Sequence, residues 1–171
     1  MDSRIEKTRQ SIYDAFIKLR ATKPLEKLTV KELCETAQIN KSTFYVYYHD
    51  VYDLSDKIEN EIVSEVVKNF DSNMIDTANF SKYLFLAYSA QHDLISTVFS
   101  GTRAQLLPKK IESVLKEAIF SGYPQYADDF EFNTRLTFTI YGGFYAYTEH
   151  YKAGNDKLID ILSSLSGKVI N

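Results

Sequence analysis

Thr29-Val30-Lys31-Glu32-Leu33-Cys34-Glu35-Thr36-Ala37-Gln38-Ile39-Asn40-Lys41-Ser42-Thr43-Phe44-Tyr45-Val46-Tyr47-Tyr48 is the stretch on which the fold turns. Thr29 followed three residues later by Glu32 is a capping box, each side chain satisfying a backbone N–H that the first helical turn leaves open. Val30, Leu33, Cys34 and Ala37 then recur at helical spacing and give that helix one apolar face. Ala37-Gln38-Ile39-Asn40 is too short to be anything but a turn. Asn40 is a good N-cap for a second short helix over Lys41 to about Tyr47. Capped helix, short turn and short helix is the layout of a helix-turn-helix. Ile39 and Phe44 are apolar enough to lock the second helix inward. Lys41, Ser42, Thr43, Tyr45 and Tyr47 are left to face out. A cation and four hydroxyls on a narrow helix suit a major groove about 12 Å wide, where they meet phosphate oxygens and base edges.

Outward from this stretch the helical pattern continues. Upstream, Ile5, Ile12, Ala15, Phe16 and Leu19 fall on one face of a helix that must stop near Lys23-Pro24. Downstream, Asp50 can cap a fourth helix carrying Leu54, Ile58, Ile62, Val66 and Phe70 on one stripe, with Asp53 and Asp56 near its positive end. Helices are then expected over Phe80–Ala90 and Asp93–Ser100, the second ended by Gly101. Another opens at Pro108 and runs to Ser121, where Gly122-Tyr123-Pro124 stops it. A long helix covers Asp128 to about Lys152, ended by Ala153-Gly154, and a last one covers about 156–167. No segment alternates as a strand does. The fold class is therefore all-α: a three-helix head with the helix-turn-helix in residues 1–49, the start of a connecting helix in 50–70, and a larger helical body in 71–171.

These positions together resemble the TetR family of bacterial transcription regulators. The similarity covers about residues 5–58 and is carried by Leu28 to Ala37, Ile39 to Tyr48, Asp50 and Leu54, with Ile12, Ala15 and Phe16 matching the family's first helix. Departures are Gln38 where the family usually has Gly, Ser42 where Gly is common, and Val51 where a phosphate-binding Lys is frequent; Tyr52 and His49 stand nearby. The resemblance implies a homodimer on a palindromic double-stranded DNA operator, paired through helices 128–152 and 156–167, and a ligand-responsive repressor with a small-molecule effector. It implies phosphate contacts by Thr29 and Lys31, and positions in or beside the groove for Lys41, Ser42, Thr43, Tyr45 and Tyr47. Tyr48 matches the family's inward Phe. Tyr45 and Tyr47 are either core aromatics or carry DNA-facing hydroxyls, and their place on the outer face favours the second. The aromatic-rich body suggests an apolar pocket, for which Tyr88, His92, Phe99, Tyr141 and Tyr145 are candidates beside plain core packing. Gly142-Gly143 inside the long helix predicts a close approach by a neighbouring helix, with a kink or ligand contact as the alternative.

Composition agrees with such a protein. The 171 residues carry a net charge of −3, divided unevenly: residues 1–48 hold nine Lys/Arg against six Asp/Glu, and the rest eleven against seventeen. A mildly basic head on an acidic body follows. The charged opening Met1-Asp2-Ser3-Arg4 lacks an apolar signal core, no stretch is long enough to span a membrane, and a single cysteine excludes a disulfide framework, so a cytoplasmic protein is expected. His49, His92 and His150 are too scattered for a metal site, and no nucleophile elbow or glycine-rich phosphate loop is present. Neither an enzyme nor a cofactor is expected. A coactivator that works through a partner regulator with weak DNA binding of its own is the nearest rival, and a helical small-molecule-binding or enzymatic protein with a purely structural helix-turn-helix the next.

Overall fold

The computed structural model of the chain describes residues 3–68, 79–152 and 156–170. Phe70 of the expected fourth-helix stripe and the expected Ala153-Gly154 stop lie outside the described residues. Those residues hold helices and short 3-10 turns, and no strand among them. The helices are α1 (Ser3–Arg20), α2 (Val30–Ala37), α3 (Lys41–Tyr47), α4 (Val51–Val67), α5 (Asn79–Ala90), α6 (His92–Val98), α7 (Leu106–Gly122), α8 (Phe130–His150) and α9 (Asp156–Ile170).

Two compact units share the chain. The first is Met1–Ile62 with Asp93–Ala104; the second is Val63–His92 with Gln105–Asn171. The cut therefore falls inside α4, and residues 93–104, with most of α6, group with the head. The physical reason lies in two arginines that periodicity does not reveal. Arg20 is 4% exposed, and its guanidinium donates to the Lys23 carbonyl at 2.7 Å, the Val98 carbonyl at 3.1 Å and Ser100 Oγ at 2.7 Å. Arg103 clamps the fully buried Glu59 of α4, with Nε to Oε1 at 2.7 Å and Nη2 to Oε2 at 2.6 Å. Buried charges persist when hydrogen-bonded, as Arg20 is, or ion-paired, as Arg103 is, and these bonds hold residues 93–104 to the first unit.

In the first unit α1 packs on α2, and α2 on α3. Ile12, Ala15, Phe16, Leu33, Cys34, Phe44 and Leu54 are all buried. Ile5, expected on the same apolar face, is instead 43% exposed, at the edge of an open recess beside the turn. In the second unit α5 and α8 both pack on α9, and α7 on α8. Leu115, Ile119, Leu136, Ile140, Tyr147 and Leu162 fill its interior. The paired glycines divide their roles: a Cβ at Gly143 would lie 2.7 Å from Cζ of Phe85 on α5, while a Cβ at Gly142 would meet nothing within 4 Å. Gly143 is thus the close approach that the sequence predicts, and Gly142 lies open on the outer side.

Candidate nucleic-acid interface

The helix-turn-helix is built by its own caps. Thr29 Oγ1 accepts from the Glu32 backbone N–H at 3.2 Å, and the Thr29 N–H donates to Glu32 Oε2 at 3.3 Å. Lys23 bonds the same carboxylate, and Lys23 and then Thr29 hold Glu32 below the usual carboxylate range. Gln38 closes α2 with φ 56°, the left-handed conformation the turn demands, which a non-glycine residue adopts at some cost. Asn40 Oδ1 then accepts the Thr43 N–H at 2.8 Å and opens α3.

α3 has two unlike faces. Phe44 is fully buried and Tyr48, just past the helix end, is 8% exposed. Tyr48 is therefore the inward aromatic. Lys41, Ser42 and Tyr45 are exposed, Tyr45 by 55%; Thr43 and Tyr47 are half-buried. Lys41 makes no ion pair among the described residues. The Ser42 and Thr43 hydroxyls both donate to Asn40 Oδ1, at 2.6 and 2.8 Å, so in the free protein they present lone pairs outward. Thr29 is exposed but occupied by its capping box, and Lys31 stands exposed 3.8 Å from Glu35. The structure thus gathers Lys41, Ser42, Thr43, Tyr45 and Tyr47 on one short helix, with Thr29 and Lys31 at the start of the helix before it. Sequence reasoning missed Val46, which at 75% exposure is the most accessible apolar side chain of α3. Its position beside Tyr45 was the available signal.

The corner from α3 into α4 is tightly held. Asp50 Oδ1 accepts the Asp53 N–H at 2.8 Å, and Asp53 Oδ2 accepts the His49 N–H at 2.9 Å. That backbone bond, and then Lys57, depress the Asp53 pKa. Lys57 Nζ also donates to the Tyr47 carbonyl at 3.1 Å and lies 5.0 Å from the Tyr48 ring centre. Val51 is buried, whereas Tyr52 is 51% exposed. Cys34 is buried, and burial pushes its thiol pKa up, an environment that disfavours the thiolate.

In the second unit a cavity of about 50 Å³ lies among Phe85, Tyr88, Thr139, Ile140, Phe144 and Tyr147. Of the five aromatic and histidine candidates, Tyr88 is in its wall; burial raises the Tyr88 pKa. His92 stacks on Tyr151 with ring centres 3.7 Å apart. Tyr141 pairs with Glu112, Tyr145 is 53% exposed, and Phe99 is buried in the first unit. The wall residues Phe85, Phe144 and Tyr147 were not separable in sequence from the other body aromatics. Among the described residues no group of His, Cys, Asp and Glu could hold a metal ion, and no helix is long and apolar enough to cross a membrane.

No family model and no curated protein matches the chain. A solved structure does: the protein named "Dihydroxyacetone kinase operon activator DhaS" superposes with a TM-score of 0.56 at 18% identity, over 96% of this chain and 92% of that one. The two chains share one all-α fold.

Proposed function

From a helix-turn-helix that resembles the TetR family's, an all-α fold shared with a solved operon activator, and the outward face of α3, we propose that the chain is a transcription regulator that binds a palindromic DNA operator as a homodimer. The single observation that carries this is the two-sidedness of α3: Phe44 buried, with Tyr48 just past the helix end, and Tyr45 and Val46 exposed by 55% and 75% beside Lys41, which makes no ion pair among the described residues. The Lys41 cation suits a polyanion, and the outward lone pairs of Ser42 and Thr43 suit the amino donors of base edges. Lys41 reaches a phosphate or guanine edge, Tyr45, Thr43 and Ser42 read bases, and Tyr47 borders the groove. Val46 offers its methyls to a thymine methyl group. Thr29 and Lys31 lie against the backbone.

A second copy of the chain supplies the two-fold symmetry of such an operator. α8 and α9 leave Phe130, Phe138, Tyr145, Ile161 and Leu165 between 47% and 86% exposed, and an isologous pairing of these helices would cover them. A small-molecule effector belongs in the body cavity; at about 50 Å³ it admits only a few atoms until its walls move. The role proposed is binding, not catalysis. Repression by occupying the operator is the simplest output of such a clamp. Activation, alone or as coactivator beside another regulator, is the second reading, and the name of the solved relative, an operon activator, favours it.

Selection from a random duplex library tests the proposal. The expected result is enrichment of an inverted repeat whose half-sites lie about 34–36 Å apart. Lack of enrichment, with a second regulator co-purifying, would overturn autonomous DNA binding in favour of the coactivator reading.

A further inference from the structure

An open recess of about 440 Å³ lies beside α3, walled by Arg4, Ile5 and Thr8 of α1, by Gln38, Ile39 and Asn40 of the turn, and by Thr43 and Tyr47 of α3. Its chemistry is one-sided. The wall contains no carboxylate. Arg4 brings a guanidinium. The Asn40 carbonyl oxygen is taken by three donors, from Ser42 Oγ, Thr43 N and Thr43 Oγ1, so the amide NH2 is what that side chain has left to offer. The exposed Gln38 and the Tyr47 phenol add further donors. Ile5, at 43% exposure, supplies an apolar edge.

We infer that this recess seats the sugar-phosphate backbone of the same duplex that α3 reads, with Arg4, Gln38 and the Asn40 amide on one phosphodiester and Ile5 against its sugar. Three features select that occupant. Donors without acceptor carboxylates suit an anion, as backbone-positioning contacts do. The recess is continuous with the candidate interface, because Thr43 and Tyr47 belong to both. It is also wide enough for a phosphate and its flanking sugars. The inference rests on the proposed DNA binding and extends it: α1 becomes part of the footprint, and Arg4 supplies a charged phosphate contact where Val51 offers none.

Arg4→Gln and Gln38→Glu test it in the full-length protein, by anisotropy titration on the selected operator and on unrelated duplexes across a salt series. Arg4→Gln is expected to weaken binding about five- to tenfold at 0.1 M salt on every sequence alike, and to reduce the salt slope by about 0.9, the contribution of one phosphate. Gln38→Glu, nearly isosteric, is expected to weaken binding on every sequence through repulsion. Unchanged thermal midpoints would show both variants folded, as exposed positions should be. If the parent binds and both variants match it at every salt concentration, the recess does not hold the backbone and the proposed function stands. A loss confined to particular base sequences would likewise overturn the phosphate assignment. If the parent binds no DNA, both the function and this inference fall.

Discussion

Replacing Arg103 with Ala should be among the most damaging single changes in the first unit. Glu59 is fully buried, and its carboxylate takes three donors: Arg103 Nε at 2.7 Å, Arg103 Nη2 at 2.6 Å and Ser55 Oγ at 2.8 Å. Arg103→Ala removes two of these and the compensating charge from a buried anion. At an effective dielectric near 20 and a charge separation of about 4 Å the lost attraction is about 4 kcal/mol. Removing one partner of a buried pair costs a similar 3–5 kcal/mol or so. In a chain of this length that lowers the unfolding midpoint by roughly 10 °C. Urea denaturation followed by circular dichroism, at one fixed protein concentration, measures it. The control is the double variant Arg103→Met/Glu59→Leu, which buries neither charge and should recover most of the loss. A loss below about 1 kcal/mol in Arg103→Ala, or a double variant no better than the single, would show that the clamp does not hold residues 93–104 to α4.

Three further outcomes follow from the second unit. Gly142→Ala should raise the urea midpoint, by up to about 1 kcal/mol of helix propensity, while Gly143→Ala should lower it, because Phe85 Cζ stands 2.7 Å from the new Cβ and overpacking costs about 1–3 kcal/mol; shifts of the same sign would refute that division. Burial pushes the Glu112 pKa up, but the bonds from Lys116, Thr137 and Tyr141 outweigh it and the net shift is down. Its contribution to stability is thus present above the ordinary carboxylate range, near pH 4.3, and is lost as pH falls through the lower folded value; Glu112→Gln should flatten the acid limb of the stability profile, and an unchanged limb would contradict the assignment. Phe138→Glu, on the exposed side of α8, should convert a dimer to monomer in sedimentation velocity without lowering helix content, and an unchanged sedimentation coefficient would remove α8 from the interface.

Local chemistry made the head readable. The Thr29–Glu32 box, the Asn40 and Asp50 caps and the inward Phe44 and Tyr48 all act within a few residues, so their sequence spacing dictates their geometry. Gln38 in a left-handed turn is of the same kind. Helix ends in the body were less sharp: α7 begins at Leu106, not at Pro108, and α8 is capped by Asp129, whose Oδ1 accepts the Phe132 N–H at 2.9 Å. What stayed hidden depends on partners far away in sequence. Arg20 and Arg103 look like surface cations until Ser100 and Glu59 are placed against them. Phe99 resembles any body aromatic, yet it belongs to the head unit. Composition marked Tyr141, Tyr145 and Tyr147 as body aromatics, but not that Tyr147 lines the cavity while Tyr145 is exposed. The α1–α3 recess was invisible for the same reason, since Arg4 and Asn40 are 36 positions apart.

Fluorescence-anisotropy titration of the full-length protein on its selected duplex, at low and moderate salt, tests DNA recognition by α3 most directly when run beside Lys41→Ala and Tyr45→Ala. Saturable binding that steepens as salt falls is expected, with Lys41→Ala weaker on all sequences and shallower in salt slope. Tyr45→Ala should lose discrimination between selected and scrambled duplexes. Variants that bind both duplexes as the parent does, at every salt concentration, would contradict a reading helix at Lys41–Tyr47.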